Sequence, residues 1–318
     1  MRIVFMGTPE FARPSLERLY QDGYDIVGVF TQPDRPRSRG MRVSYSPVKE
    51  LALRHGSPVF QPESLRGGDA LGVLVGLRCD LIVVVAYGRL LPPEFLGLPP
   101  LGCVNIHASL LPKYRGAAPI QWAILNGERE TGVCSMFISE ELDAGDLIGS
   151  ISVPVFDDES SGELHNRLSV VGAELLGESV GAIKRGKVVR QPQDHSKATF
   201  APPLNKEMSP IDWTETALKI KCKVRGLCPW PSATSVLFGI NFKIFSVDVC
   251  VGESGKAPGE IVRVDSDGIV VACLDGVVII RELQAPGGKR MSVADYLRGH
   301  QDVMLKSCLG LLNVTLSA

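Results

Sequence analysis

Two polar side chains with catalytic potential stand two residues apart at the end of an apolar run. They are Asn105 and His107, and the run begins at Cys103. In a strand, residues i and i+2 project to the same side, so the amide and the imidazole face the same space. An amide can stabilise a developing oxyanion, and an imidazole can carry a proton near neutral pH. The pair therefore suits acyl transfer, although a histidine that is only hydrogen-bonded at a strand terminus fits the same pattern.

A carboxylate that can act with this imidazole lies in the loop after the next apolar run, residues 133–138. The loop contains Glu140, Glu141 and Asp143. If the run is a neighbouring strand that opens at the same edge of the sheet, Asp143 can orient His107 or balance its charge. Asp before Ala-Gly is also common turn chemistry, so the spacing leaves both interpretations open.

The elements that must position these groups are short apolar runs that alternate with helical patterns over residues 1–150. The runs are apolar on both faces, which is typical of parallel strands covered by helices. Between them, residues such as Leu16, Leu19 and Tyr20 share one helical face. We predict a Rossmann-like α/β domain with a doubly wound, mostly parallel sheet, whose strand ends open into a ligand crevice. The predicted strands are residues 3–6, 26–30, 81–86, 103–106 and 133–138.

A change of pattern in the second half of the chain indicates another domain. After an amphipathic helix over residues 163–183, the chain becomes polar and proline-bearing, with no apolar periodicity. We therefore expect an N-terminal domain of residues 1–186, a linker of residues 187–205 and a C-terminal domain of residues 206–318.

The C-terminal domain is expected to be a smaller β-barrel of the OB-like kind. Five short apolar runs are separated by turn signals such as Asp267-Gly268 and Asp275-Gly276, which are typical of hairpins. A helix is predicted before these runs, over residues 214–224, and Ser292 has the pattern of the N-cap of a final helix. The five predicted strands are residues 234–238, 242–249, 261–264, 269–273 and 277–283.

The composition excludes several classes of protein. The 318 residues are 45% hydrophobic and 22% charged, which allows ordinary soluble cores in about two domains. The 34 basic and 35 acidic residues leave a net charge of −1, so the chain is not a globally basic nucleic-acid wrapper. The eight cysteines have no C-x-x-C spacing, which indicates buried thiols in a reducing compartment rather than a disulfide or zinc framework.

The sequence also lacks the motifs that mark targeting segments and dinucleotide cofactors. The start of the chain reads as a strand rather than a signal peptide, and no apolar run reaches the roughly 18 residues that a membrane span needs. We therefore expect a cytoplasmic protein. The first strand runs into Gly7 without the second and third glycines of a dinucleotide-binding turn, so a nicotinamide or flavin dinucleotide is not expected.

One local basic segment follows the second predicted strand, between residues 34 and 50, and contains no acidic residue. It is too long and polar for a simple connection from a strand to a helix. Contact with nucleic-acid phosphates is one interpretation, and a solvated basic loop is the other. We favour the phosphate contact because positive and negative charges otherwise balance along the chain. The basic residues are Arg35, Arg37, Arg39, Arg42 and Lys49.

These motifs together resemble a known family. Asn-x-His followed by Ser-Leu-Leu-Pro at residues 109–112, and then by Leu-Asp-x-Gly, is similar to the folate-dependent formyltransferases. Within that family, the chain resembles the members that formylate methionyl-tRNA, and the likeness extends over nearly the whole chain. The stretches that carry this closer likeness are residues 30–36, 84–88, 114–121 and 211–213.

The resemblance implies roles for particular residues. It implies a catalytic trio of Asn105, His107 and Asp143, and it implies that the basic segment engages the acceptor end of a tRNA. The residues implied in folate binding are Ser109, Leu110, Leu111 and Pro112, with Ala86, Tyr87, Gly88 and Leu90 as the other wall of the pocket. The residues implied in tRNA binding are Arg35, Arg37, Arg39 and Arg42.

The reaction implied by the resemblance is transfer of a formyl group from 10-formyltetrahydrofolate to the α-amine of a charged initiator tRNA, for translation initiation. The implied partners are that tRNA and the folate co-substrate, with no metal and no membrane, and we expect a monomer. Two alternatives remain at this point. One is formyl transfer to another amine such as glycinamide ribonucleotide, and the other is a non-catalytic RNA-binding protein on the same fold.

Overall fold

The computed structural model describes residues 1–37 and 42–300, and the chain divides into two compact units. The segment that we expected as a linker, residues 187–205, is itself divided between them, since the first unit continues to Ala201. The first unit consists of Met1–Pro119, Glu130–Pro154 and His165–Ala201, and the second of Ile120–Arg129, Val155–Leu164 and Pro202–Ala318.

The chain up to Ala201 alternates strands with helices, as the sequence pattern predicts. The strands are β1 (Arg2–Gly7), β2 (Asp25–Phe30), β3 (Arg35–Arg37), β4 (Arg42–Ser44), β5 (Val59–Phe60), β6 (Leu81–Val85), β7 (Cys103–His107), β8 (Arg115–Gly116), β9 (Glu130–Phe137), β10 (Leu147–Pro154) and β11 (Phe200–Ala201). The helices are α1 (Arg13–Gln21), α2 (Pro47–Arg54), α3 (Gly68–Leu77), α4 (Pro93–Leu96), α5 (Pro119–Leu125) and α6 (Ser161–Lys184).

Seven of these strands form one sheet in the order β10-β9-β7-β6-β1-β2-β5. Within the series β7-β6-β1-β2-β5, each pair of adjacent strands is parallel. All five residues of β6 are buried, as expected for a strand covered on both faces. The chain moves outward in opposite directions from β1, so a crevice is expected beyond the carboxyl ends of β1 and β6. The Rossmann-like, mostly parallel sheet is therefore confirmed.

One strand of the predicted parallel set runs the other way. β9 is antiparallel to β7, and it pairs Phe137 with Val104 and Cys134 with His107. The expectation of a parallel strand at residues 133–138 was therefore wrong. A parallel return needs a crossover that packs on the sheet, but the intervening helix α5 groups with the second unit. An apolar run is the same in either direction, so the sequence pattern did not distinguish them.

The second unit contains an antiparallel sheet in the order β12-β13-β16-β15-β14, with β17 paired to β16. Each of the five predicted strands is present. The outer strands β12 and β14 do not pair with each other within the described residues, so the sheet is open there rather than a closed barrel. The strands are β12 (Ala233–Leu237), β13 (Ile240–Val251), β14 (Ile261–Asp265), β15 (Gly268–Cys273), β16 (Gly276–Gln284) and β17 (Met291–Ser292).

Two helices, α7 (Ala217–Gly226) and α8 (Val293–Gly299), accompany this sheet. Ile220 and Val224 of α7 belong to the same buried core as Phe242 and Ile280 of the strands, because their spacing of four places them on one helical face. Each helix begins at a capping side chain: the hydroxyl of Ser292 accepts the backbone N–H of Asp295, as the sequence predicts.

Buried thiols provide a test of this packing. Burial raises the pKa of Cys103 to about 12 and that of Cys134 to about 11, whereas Cys250 is exposed. Because the thiolate is the nucleophile, we expect iodoacetamide at mildly alkaline pH to alkylate Cys250 in the folded protein and to leave Cys103 and Cys134 intact. Peptide mass spectrometry before and after unfolding in urea checks this. Native labelling of Cys134 at the rate seen in urea would contradict its burial.

Candidate active site

The carboxyl ends of the parallel strands are followed by loops that hydrogen-bond to one another. Thr8 follows β1, Gln32 follows β2 and Tyr87 follows β6. The Tyr87 carbonyl accepts the Thr8 hydroxyl at 3.3 Å and the Gln32 side-chain amide at 3.1 Å, and the Gln32 N–H donates to Thr8 Oγ1 at 3.2 Å. These bonds fix the loop of residues 86–90, where Ala86 and Gly88 have φ of +46° and +83°.

The members of this loop differ in what they expose. Tyr87 is buried in the same core cluster as Met6 and Phe30, and burial raises the pKa of its hydroxyl. Ala86, Gly88 and Leu90 are exposed, Leu90 by 73%. Tyr87 therefore packs the loop against the core, and the exposed part of the loop is formed by Ala86, Gly88 and Leu90, with Arg89 partly exposed.

His107 has a polar group beside each of its ring nitrogens. It ends β7, is 6% exposed, and its Nε2 lies 2.9 Å from the Tyr114 carbonyl. A carbonyl only accepts, so Nε2 carries a proton. Nδ1 lies 3.6 Å from Oδ2 of Asp143, and this contact becomes an ion pair when Nδ1 is also protonated. The structure thus brings together His107 and the carboxylate that the sequence analysis singled out.

Asp143 reaches His107 by a route that differs from the expected one. Because β9 is antiparallel, the loop that carries Asp143 begins beside the opposite end of β7 and folds back. Its Oδ2 accepts the N–H of Gly116 at 2.8 Å, and its own φ is +49°. Gly116 has φ of +118°, and a Cβ there would meet the Ala201 carbonyl oxygen at 2.8 Å. Only glycine fits this close approach.

Asn105 lies two residues before His107 and opposite Met136 of β9. It is partly buried, and its side-chain amide has no hydrogen-bond partner among the described residues. The pleat directs it to the same side as His107. An amide donor without a partner in the described part of the chain is available to an oxygen atom that enters beside the imidazole.

The Ser-Leu-Leu-Pro segment turns immediately after β7. Ser109 is fully buried and donates to the Lys113 carbonyl at 2.6 Å, while the Leu111 N–H donates to Cys134 Sγ at 3.3 Å. Leu110 and Pro112 are partly exposed. The Ser109 hydroxyl and the Leu111 N–H therefore hold the turn, and the Leu110 and Pro112 side chains lie at its surface.

The basic segment forms a short hairpin, in which β3 pairs with β4 and Arg37 is opposite Arg42. Arg39 lies outside the described residues. Lys49 is paired with Asp34 and donates to Gln61 Oε1 at 2.7 Å. Burial raises the pKa of Asp34, but hydrogen bonds from Lys49 and Gln61 outweigh it and leave that pKa below its ordinary value. Lys49 is thus engaged at the base of the hairpin.

The basic side chains of α7 are also engaged. Because the segment is helical, as predicted, these residues spread around it and each binds a local group. The pairs are Lys219 with Glu215, Lys221 with Asp158, Lys223 with the Pro210 carbonyl, and Arg225 with the Phe156 and Glu159 carbonyls. Burial lowers the pKa of Lys223.

Three residues that contact this site were missed in the sequence analysis. The Gln193 amide nitrogen donates to the carbonyls of Asp143 and Gly145 at 2.9 and 2.8 Å, and Arg115 Nη2 donates to Gln193 Oε1 at 2.7 Å. Thr199 Oγ1 accepts the Tyr114 N–H at 2.9 Å. Gln193 and Thr199 lie in the polar segment assigned to the linker, where no periodicity marks them.

Metal sites and membrane spans are both absent from the described part of the chain, residues 1–37 and 42–300. No group of three or more His, Cys, Asp or Glu side chains in it is arranged to hold a metal ion. None of its helices has the length and apolar character needed to cross a membrane.

Residues 1–180 match the family model described as formyl transferase, and residues 203–301 match the model of the formyl transferase C-terminal domain. The chain belongs to the formyl transferase family. The resemblance seen in the sequence motifs is thereby confirmed across both halves of the chain.

Similar formyl transferases in other organisms are closely related in sequence. The methionyl-tRNA formyltransferase of Alkaliphilus oremlandii is 48% identical over 300 residues, which are 94% of this chain and 97% of that protein. The methionyl-tRNA formyltransferase of Clostridioides difficile is 44% identical over 300 residues, with the same coverage.

Two solved structures share the fold of this formyl transferase. HypX from Aquifex aeolicus in complex with tetrahydrofolic acid has a TM-score of 0.63 at 20% identity, over 93% of this chain and 47% of that one, so the chain spans about half the length of HypX. An N-formyltransferase from Helicobacter canadensis, in complex with folinic acid and dTDP-3-aminofucose, has a TM-score of 0.67 at 18% identity, over 91% and 99% of the two chains.

Proposed function

We propose that this protein transfers the formyl group of 10-formyltetrahydrofolate to the α-amine of methionyl-tRNA, the charged initiator tRNA, for translation initiation in the cytoplasm. The observation that carries the proposal is the similarity to methionyl-tRNA formyltransferases over 94% of the chain, which includes both family regions. It favours this reaction over formyl transfer to glycinamide ribonucleotide and over a non-catalytic RNA-binding role.

The proposed chemistry uses Asn105, His107 and Asp143. The free α-amine attacks the formyl carbon, a C–N bond forms, and the carbonyl oxygen becomes an oxyanion. The Asn105 amide donates to that oxyanion, and protonated His107 stabilises its charge. The pair of His107 and Asp143 takes the proton from the attacking nitrogen and passes it, directly or through water, to the folate nitrogen as the old C–N bond breaks.

The folate pocket in this proposal lies between two loops. One wall is the loop of residues 86–90, with Ala86, Tyr87, Gly88 and Leu90, and the other is the turn of residues 109–112. The exposed backbone of the first loop and the partly exposed Leu110 and Pro112 support this assignment. A wall with many backbone donors and acceptors suits a flat pterin ring, which itself carries several polar groups.

The tRNA contacts in this proposal come first from the basic hairpin. Arg35, Arg37, Arg39 and Arg42 would neutralise phosphates near the acceptor end.

We further propose a catalytic domain of residues 1–186, a linker of residues 187–205, and a tRNA-binding C-terminal domain of residues 206–318, acting as a monomer. The basic side chains of α7 are already bound to local partners. The C-terminal domain would therefore contact the tRNA through residues outside α7.

Replacing both Arg39 and Arg42 with alanine should weaken the use of tRNA and leave folate binding unchanged. Each lost phosphate contact should make the slope of log affinity against log salt shallower by about 0.7 to 0.9. The measurement is kcat/KM for charged tRNA over a range of salt concentrations. Replacing the exposed Arg54 and Arg66 with alanine removes the same charge elsewhere. If the two double variants have equal salt-dependence slopes, the basic segment is a solvated loop and does not contact tRNA phosphates.

One assay separates the three candidate functions. The full chain is incubated with 10-formyltetrahydrofolate and either charged initiator tRNA or glycinamide ribonucleotide, and formylated products are identified by mass. Formyl-methionine on the tRNA is the expected product. Formylation of the ribonucleotide alone would support the alternative acceptor, and no product with either would support the non-catalytic role.

A further inference from the structure

The polar segment that follows α6 contains a buried glutamine with no role in the proposed chemistry. Gln193 is 6% exposed, and every polar atom of its side chain is used. Its amide nitrogen donates to the carbonyls of Asp143 and Gly145, and its oxygen accepts from Arg115. From these contacts we infer that Gln193 is a positioning residue, which holds the backbone at Asp143 so that its carboxylate faces His107. This inference rests on the proposed function.

Arg115 sets the orientation of the Gln193 amide. The guanidinium is 5% exposed, has no carboxylate partner within the described residues, and its Nε has no hydrogen-bond partner there. Because Arg115 can only donate, it must face the oxygen of Gln193, and the nitrogen must then point to the loop carbonyls. A buried cation is costly unless it is hydrogen-bonded, and the side-chain partners of Arg115 Nη2 are Gln193 Oε1 at 2.7 Å and His195 Nδ1 at 3.4 Å.

The backbone at Asp143 needs such a support. Asp143 has φ of +49°, in the left-handed region that an aspartate adopts at some cost. Its carboxylate is held by the Gly116 N–H at 2.8 Å, and its carbonyl by Gln193 at 2.9 Å. With both ends of the residue bound in this way, Oδ2 of the carboxylate lies 3.6 Å from Nδ1 of His107.

The same segment also supports the other face of the imidazole. Thr199 accepts the N–H of Tyr114, whose carbonyl binds Nε2 of His107. β11, at the end of the segment, pairs with β8, which carries Arg115 and Gly116. The residues that hold Asp143 and those that hold His107 are therefore joined through one strand pair. Gln193 is the one among them whose side chain binds the Asp143 backbone directly.

Gln193→Glu isolates this role. The glutamate has the same shape and can pair with Arg115, so the fold should be kept, but it cannot donate to the two carbonyls. We expect kcat for formyl transfer to fall about 10- to 100-fold, because a shift of about 1 Å in a catalytic group can cost that much. KM for the folate should change by less than about twofold. Gln191→Glu is the matched control, since Gln191 is exposed and lies two residues away.

A double variant distinguishes positioning from a general loss of stability. If Gln193 acts through Asp143, adding Gln193→Glu to Asp143→Asn should reduce kcat by less than about twofold further. If Gln193 only stabilises the fold, the reduction in kcat of the double variant should equal the product of the reductions in the two single variants. Full multiplication, or wild-type kcat for Gln193→Glu, would overturn the inference.

Amide hydrogen exchange tests the inference without relying on the formyl-transfer reaction. Exchange in the loop of residues 139–146 should become faster in Gln193→Glu and stay unchanged in Gln191→Glu. Unchanged exchange in both variants would overturn the positioning role. If the wild-type protein formylates no tRNA while exchange changes as expected, the proposed function fails and the positioning role stands.

Discussion

His107→Ala and Asn105→Ala should each lower kcat about 100-fold or more. Asn105 supplies a free amide donor, and removal of one oxyanion donor costs about 10²- to 10³-fold in other acyl-transfer enzymes. His107 supplies positive charge and transfers the proton, and a general acid or base of that kind contributes about 10²- to 10⁴-fold to the rate. Single-turnover formylation of charged initiator tRNA measures the chemical step directly.

Folding of these variants should be retained, since each change shortens one side chain of β7 and leaves the backbone pairing of that strand intact. His55→Ala and Asn241→Ala serve as matched controls, because His55 is a partly exposed histidine stacked on Tyr20 and Asn241 is an exposed asparagine of the second unit. Both controls should keep the wild-type kcat. A well-folded His107→Ala with near-normal turnover would remove the imidazole from the mechanism.

Asp143→Asn should lower kcat about 10²- to 10⁴-fold, the range for loss of a general acid or base. The amide oxygen can still accept the Gly116 N–H, so the loop keeps its shape. It cannot balance an imidazolium at a distance of 3.6 Å, and it cannot take up a proton. The charge, rather than the geometry, is therefore what this variant removes.

Asp146→Asn is the control for that experiment, because it makes the same chemical change three residues later in the same loop. We expect it to keep wild-type kcat. Folate affinity, measured by fluorescence or calorimetry, should be the same in both variants and in the wild type. Comparable turnover for Asp143→Asn and Asp146→Asn would rule out a catalytic role for the Asp143 carboxylate.

Local pattern was enough to predict the parallel strands, the five strands of the second unit and the cap at Ser292. Each of these depends on residues within a few positions of one another, where periodicity and capping rules apply. The pairing of Asn105 with His107 is also local, because it follows from the pleat of one strand. These features could therefore be predicted without knowledge of the remote parts of the chain.

The errors and omissions have a different physical origin. The direction of β9 depends on where α5 packs, and no apolar run contains that information. The burial of Tyr87 depends on the space between strands and helices that are distant in sequence. The contact between Gln193 and Asp143 spans 50 residues, and a polar segment with no periodicity gives no sign of it. Asp143 lies beside His107 as expected, although the expectation assumed a parallel strand.

The supports of the site have a consequence for the order in which the protein matures. All seven strands of the central sheet have left the ribosome once Pro154 has emerged, and N-terminal regions fold first during synthesis. Gln193 and Thr199 come later, so the nascent sheet exists before its reactive groups are fixed in place. A fragment that stops at residue 186 contains Asn105, His107 and Asp143. It lacks Gln193 and Thr199, which support them. The residues that support the site therefore extend past the proposed domain boundary at residue 186, as far as Ala201.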